Sequence, residues 1–344
     1  MPQKTIDIRS DTVTLPTLAM RKAMYEAELG DDVFEEDPTI NRLEQLAAEM
    51  LGKEAGLFVV SGTMGNLVSI VTHCQRGDEV IVGDQAHSFF YEVGGAAVVG
   101  GLAWHCLPNC RGLPDADAVA NAIRPDNIHA PRTGLICLEN THNRCGGAAL
   151  SSEQMRPIVE IAKSHKVPLH MDGARIFNAA IATGETAKQL VGPFDSVQFC
   201  LSKGLACPVG SLVVGSGEFI RRSRKTRKML GGGMRQAGIL AAAGLVGLTT
   251  MVDRLADDHA NARVLAEGIA EIPGLFVDLA TVQTNIVAFQ VLKMPPAEFV
   301  KRLAAEGVKA IPFGGNRCRA VAHYGIERED MLLALAAMRR VLAD

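Results

Sequence analysis

Short apolar runs alternate with stretches of helical periodicity along most of this chain. The segment "DPTINRLEQLAAEMLG" (37–52) puts Ile40, Leu43, Leu46, Ala47 and Met50 on one face of a helix. Asp37 is a plausible N-cap there, Pro38 suits the first turn, and Gly52 can close the end. "GLFVVS" (56–61) then reads as a buried strand, and "GTMGNLVSIVTHCQRG" (62–77) as a glycine turn entering a second helix. Further strands are predicted at 78–83, 133–139, 167–173, 195–202 and 210–215, most of them separated by helical stretches such as 151–165. Strands alternating with helices predict an α/β fold with a mostly parallel sheet covered on both faces.

Residues 236–270 read as one long helical segment rich in alanine and leucine. "GLFVDLA", "TNIVAFQ" and a terminal helix follow, which predicts a smaller C-terminal α+β unit. The boundary is placed near residue 250, giving a large domain over 1–250, with an N-terminal arm, and a small one over 251–344. A chain of 344 residues agrees with two domains at about 150 residues each.

Composition narrows the function classes. A formal net charge of −3 gives no reason to expect nucleic acid or an anionic membrane as partner. The basic run "RRSRKTRK" (221–228) is read as a solvated helix face. No run is long and apolar enough for a membrane span, and "MPQKTIDIRSD" lacks a signal-peptide core, so a cytoplasmic protein is expected. The eight cysteines are scattered without a CxxC pair, so neither a metal centre nor a disulfide framework is expected.

Three places carry candidate chemistry. In "VVSGTMGNL" (59–67) a strand meets Gly62 and a helix starts near Thr63; free N–H groups at such a start bind phosphate, or simply form a capped turn. In "LHMDGARIFNA" (169–179) Asp172 ends a strand, where open α/β sheets bind ligands, with Arg175 three residues on. The two either share a site or form a capping ion pair. In "DSVQFCLSKGLACPVGSLVVG" (195–215) Lys203 sits between two apolar strands; it either reaches solvent or condenses with an aldehyde. A phosphate cradle, an aspartate and an amine, in that order, match the three anchors of pyridoxal phosphate: phosphate, ring nitrogen and aldehyde.

Longer motifs extend the match. "RSDTVTLP", "GDDVFEEDPT", "SGTMGN", "AHSFFYEVGG", "LENTHN", "HMDGARIFNA", "CLSKGLACPVGSLVVG" and "GGGMRQAGILAAAG" closely resemble the low-specificity L-threonine aldolases, in the β-eliminating lyase group. The resemblance runs from about Asp7 to at least Gly325. It implies an aspartate-aminotransferase-like fold, pyridoxal phosphate as cofactor, and cleavage of threonine or allo-threonine to glycine and an aldehyde. It implies that Lys203 holds the cofactor aldehyde, Asp172 the ring nitrogen, Gly62 and Thr63 the phosphate, and that His87 stacks on the ring. His142 becomes a candidate base for the β-hydroxyl, alongside a water or the cofactor phosphate. Ser10, Arg175 and Arg319 match the positions that hold the substrate carboxylate, Arg175 being close to the cofactor too.

A homo-oligomer, a tetramer in preference to a dimer, is also implied, with active sites at subunit interfaces and Lys228 and Arg235 approaching the cofactor phosphate or site of a neighbouring subunit. The family often has tyrosine where this chain has Phe34. The rival readings are another pyridoxal-phosphate reaction (β-elimination, transamination or racemisation) and a non-catalytic phosphate- or nucleotide-binding protein.

Overall fold

The computed structural model describes residues 5–343. The central sheet has seven strands: β1 (Ala55–Val59), β2 (Glu79–Gly83), β3 (Ala103–Leu107), β4 (Thr133–Glu139), β5 (Leu169–Asp172), β6 (Ser196–Cys200) and β7 (Ser211–Gly215). Their order is β1-β7-β6-β5-β4-β2-β3. The pairs from β3 through β6 are parallel, and β7 is antiparallel to both β6 and β1. The mostly parallel sheet between helices is thus present. Every residue of β2, β4, β5, β6 and β7 is buried, which is why these strands are apolar runs rather than alternating ones.

The one reversal has a local cause. Residues 201–210 connect β6 to β7 without a helix, too short a path for a parallel crossover. Gly210 closes this loop at φ +103°, where a Cβ would lie 2.5 Å from the Phe58 ring. Strand β3 was not predicted. It is an edge strand with Ala103 exposed and Trp104, His105 and Cys106 half-buried, so its apolar signal is weak.

The helices around this sheet include α1 (Leu18–Tyr25), α2 (Pro38–Leu51), α3 (Gly62–His73), α4 (Ser152–His165) and α5 (Gly217–Met229). The expected caps of α2 are present: Asp37 accepts from the Thr39 and Ile40 amides at 3.1 and 3.0 Å, and Gly52 is left-handed at φ 64°. The stretch read as one helix over 236–270 is two, α6 (Gly238–Thr250) and α7 (Leu255–Ala270), bent by 71°. The bend has a packing reason. Helix α6 lies against α1 and α2, whereas α7 lies against the terminal helix α8 (Arg328–Ala343) and a second sheet.

That sheet contains β8 (Leu275–Phe276), β9 (Ile286–Val291), β10 (Ile311–Pro312) and β11 (Arg317–Val321), in the order β8-β9-β11-β10, all antiparallel. Its core includes Ala262, Leu265, Phe289, Phe299, Leu335 and Met338, and is joined by Ile6 and Ile8 from the N-terminus. Ile6–Asp7 pairs in parallel with Val308–Lys309. The chain therefore crosses from one core to the other at Ser10 and Asp11. Among the described residues no single helix is long and apolar enough to cross a membrane.

Candidate active site

The parallel strands β2, β4, β5 and β6 all end at one edge of the sheet, and β1, antiparallel to the reversed β7, ends there too. The segments after these ends carry the predicted residues: Gly62 and Thr63 after β1, His87 after β2, His142 after β4, Arg175 after β5 and Lys203 after β6. Such an edge is where open α/β sheets collect ligands.

The start of α3 is built for an anion. Ser61 caps the helix by accepting from the Met64 amide at 3.1 Å, which leaves the Gly62 and Thr63 N–H groups pointing out of the first turn. Gly62 is required by space: a Cβ there would come within 2.8 Å of the Cys200 sulfur on β6.

Asp172, fully buried, accepts from the Asn66 amide at 2.8 Å and from Gln198 at 2.6 Å. Burial alone raises its pKa, but the positive charges of His87 and Lys203 and the two donated hydrogen bonds outweigh it and keep the carboxyl ionised. The same Asn66 nitrogen donates to Glu92 at 2.8 Å, and Glu92 holds Nδ1 of His87 at 2.9 Å. Burial lowers the His87 pKa, yet the Glu92 contact and the Asp172 charge turn the net shift upward. Ligand-type atoms of His87, Glu92 and Asp172 lie within 4.8 Å of one another, but amide hydrogens occupy the space between the two carboxylates. Among the described residues the Lys203 ammonium has no ion-pair partner, while its charge is felt by Asp172, His87 and Asp11.

A second cluster lies at the seam between the two cores. Arg175 donates from Nε and Nη2 to both oxygens of Asp11, at 2.7 and 2.8 Å, with both side chains out of solvent. The Arg175 guanidinium holds the Asp11 carboxyl far below the usual carboxylate range despite complete burial. Arg319 on β11 donates to Asn143 at 2.8 Å and to the Arg9 carbonyl at 3.1 Å; its Nε has no partner, and among the described residues it is ion-paired with no carboxylate, although Asp11 acts on it through space. Burial and then the Arg175 charge push its pKa down to about 10. Ser10 caps the short turn Asp11–Val13 and accepts from Thr12 at 3.3 Å.

Glu139, at the end of β4, ties the histidine loops together. It accepts from the His87 amide at 2.7 Å and the Asn143 amide at 2.8 Å, and lies 3.6 Å from Nε2 of His142. His142 is 1% exposed, yet neither ring nitrogen has a hydrogen-bond partner. A buried imidazole and a buried guanidinium with unmet hydrogen-bonding groups mark a site shaped for something the protein chain does not itself supply.

The arrangement fits pyridoxal phosphate: amides for its phosphate, an ionised carboxylate for its ring nitrogen, and an unpaired amine for its aldehyde. Lys228 and Arg235 do not join this constellation. Both are exposed; Lys228 packs along Gly233, and Arg235 pairs with Asp31 at 3.0 Å. The basic run 221–228 is only partly solvated, since Arg227 reaches Asp32 at 2.6 Å and Arg224 reaches Glu44 at 2.9 Å. Sequence reasoning missed Asp11, Asn66, Glu92, Glu139, Asn143 and Gln198. Gln198 and Asn66 had a usable signal, being polar side chains inside otherwise apolar runs.

The β-eliminating lyase family model matches residues 7–291. Low-specificity L-threonine aldolase 1 of Arabidopsis thaliana is 46% identical over 349 residues, covering 99% of this chain and 98% of that protein. The low-specificity L-threonine aldolase of Escherichia coli O157:H7 is 44% identical over 341 residues, covering 98% and 99%. Leishmania major threonine aldolase shares the fold with a TM-score of 0.83 at 16% identity, covering 98% of this chain and 99% of that one.

Proposed function

The chain belongs to the β-eliminating lyase family, and from that premise we propose how its own residues carry the reaction. It is a pyridoxal-phosphate-dependent lyase that cleaves L-threonine by a retro-aldol reaction. Atom balance makes the products glycine and acetaldehyde. When bound, the cofactor supplies the electron sink for the bond between Cα and Cβ.

The protein's part is binding, orientation and proton movement. Gly62 and Thr63 hold the cofactor phosphate through their amides, Lys203 holds its aldehyde, Asp172 its ring nitrogen, and His87 lies against the ring. Arg319 and Arg175 take the substrate carboxylate, with Ser10 completing the pocket. Arginine's planar fork suits that group, and Arg319 lacks any other anion. His142 takes the β-hydroxyl proton on Nε2, and Glu139 at 3.6 Å stabilises the imidazolium that results. The single observation that carries these roles is the pair of unmet buried groups, His142 and the Arg319 Nε, beside an ionised Asp172.

The same reading divides the chain near residue 250, at the bend between α6 and α7, and makes the working form a cytoplasmic homotetramer. Exposed Leu18, Tyr25, Phe34, Phe90, Val93 and Val98 give the apolar surface that subunit packing covers. Lys228 and Arg235 then serve a neighbouring subunit's site.

The test is direct. Wild-type protein incubated with threonine should yield acetaldehyde and glycine, without pyruvate or ammonia. Borohydride should trap the cofactor on Lys203, and Lys203→Ala should abolish both trapping and turnover. Trapping at another lysine overturns the assignment of Lys203.

A further inference from the structure

Behind the cofactor crevice, a line of polar groups, buried but for the half-buried His73, runs between α3 and the sheet toward the opposite ends of the strands. Asn66 and His73 lie seven residues apart on α3, two turns on one face, about 10 Å along the axis. Between them stand His170 of β5 and Ser196 of β6. The links are Asn66 Oδ1 to His170 Nε2 at 3.1 Å, His170 Nδ1 to Ser196 Oγ at 2.8 Å, and Ser196 Oγ to His73 Nε2 at 2.8 Å.

Every proton in this line is fixed by the carboxylates at its end. Asp172, held ionised, can only accept, so the Asn66 NH2 group must face Asp172 and Glu92. Asn66 Oδ1 is then turned toward His170, whose Nε2 must carry hydrogen. A neutral His170 leaves Nδ1 as an acceptor, so the Ser196 hydroxyl must donate to it. The Ser196 oxygen is left to accept from Nε2–H of His73. All donors point the same way, from the far edge toward the two carboxylates. Burial agrees, lowering the pKa of His170 to about 4 and of His73 to about 3, so both rings are neutral near pH 7. The far end is wedged in place: His73 stacks on Phe219 at 4.5 Å between ring centroids.

An amide in the middle cannot pass a proton along the line, so a proton conduit is excluded. What the line can do is hold one amide in one orientation. We propose that His170 and Ser196 are positioning residues for the reaction, which act through Asn66 to hold Asp172 and Glu92 at fixed separation beneath the cofactor ring. This rests on the assignment of Asp172 to the cofactor ring nitrogen. Neither residue touches substrate or cofactor; each acts by removing the freedom of the next. Among the described residues no side-chain hydrogen bond joins Asn66, Asp172 or Glu92 directly to Arg175 or Arg319, so loosening the line should leave substrate-carboxylate binding largely intact.

The experiment uses the full-length protein with Ser196→Ala, Ser196→Thr and Asp172→Asn. Ring 15N spectra of the apoprotein report the His170 tautomer, and absorbance titration gives cofactor affinity. Losing one neutral hydrogen bond in the line should weaken cofactor binding about fivefold, as one such bond is worth roughly a factor of five. In Ser196→Ala, kcat should fall while KM for threonine stays within about twofold. The fixed Nε2–H signal of His170 should become a tautomer mixture. Ser196→Thr, which keeps the hydroxyl, should restore all three. Wild-type cofactor affinity and kcat in Ser196→Ala, with Asp172→Asn impaired, overturn the line as a positioning device. Wild-type cofactor affinity in Asp172→Asn overturns the Asp172 assignment beneath it.

Discussion

Asp11→Asn is a sharp test of the charge arrangement at the seam. The substitution keeps shape and removes one negative charge from a group with no solvent exposure. Arg175, buried as well, then loses the carboxylate it holds through two hydrogen bonds of 2.7 and 2.8 Å. An asparagine offers one oxygen in place of two and turns an NH2 group toward a guanidinium. The Asp11 charge is also among the influences that raise the Arg319 pKa, so the variant leaves two buried cations with no carboxylate among the described residues ion-paired to either. Removing one partner of a buried ion pair costs about 3–5 kcal/mol. At roughly 2–4 °C per kcal/mol for a chain of this size or somewhat smaller, Tm should fall on the order of 10 °C. Thermal melting of the apoprotein measures this. Adding glycine supplies a carboxylate to the same two guanidinium groups, so it should stabilise Asp11→Asn more than wild type. A variant that melts within about 2 °C of wild type would show that the desolvation of Asp11 and Arg175 cancels their attraction. Equal stabilisation of both proteins by glycine would refute the view that substrate carboxylate binds here.

Two further outcomes follow from the packing and the buried histidines. Gly62→Ala places a Cβ 2.8 Å from the Cys200 sulfur, so the helix start must shift; cofactor affinity should drop about tenfold, the effect of one lost amide hydrogen bond, and Cys200→Ala in the same chain should recover it. An unchanged dissociation constant for Gly62→Ala would mean that these amides do not hold the phosphate. Acid stability follows from His73, His170 and His259, which burial lowers from 6.5 to about 3, 4 and 4. Their folded pKa values lie below the unfolded one, so the unfolded chain binds protons that the folded chain refuses. Stability is complete above pH 6.5 and falls as pH drops toward 4, by about 4 kcal/mol per pH unit for three protons. Glu44 and Glu92, raised by burial, take up protons in the folded state and offset part of this near pH 5. Denaturant unfolding between pH 7 and 5 should therefore show a downward slope with acidification; a flat profile contradicts it.

The strands that lie deep in the sheet were legible because burial on both faces leaves a continuous apolar run. The run at 133–139 coincides with β4, and those at 78–83 and 210–215 lie within a residue of β2 and β7. Edge strand β3 lacked that signal because solvent meets it. The bend at 251–254 was hidden because both helices are rich in alanine and leucine, and their composition does not record which core each one joins. At the site, residues with a strand-end position or a distinctive motif were visible: Gly62, Asp172, Lys203. The carboxylates and amides that hold them were not, because their partners are remote in sequence. Asp11 meets Arg175 across 164 positions, and Asn66 meets Asp172 across 106. Spacing along a chain carries no trace of such pairs, and only the fold supplies the contact.

The two networks differ in what they still lack. Lys203 and His87 stand opposite Asp172 and Glu92, so their charges can balance within the protein. Arg175 and Arg319 share one carboxylate, Asp11, and Arg175 already uses both of its oxygens. Among the described residues Arg319 is left without an ion-paired carboxylate, a buried side chain whose pKa burial and the Arg175 charge push down to about 10. An uncompensated buried cation costs stability unless a ligand neutralises it. A singly charged carboxylate removes that deficit, whereas a neutral ester or amide leaves it in place. If the substrate carboxylate binds here as proposed, the stability given up at Arg319 in the free protein is returned on binding, and the α-carboxylate becomes the group that admits an amino acid to this site.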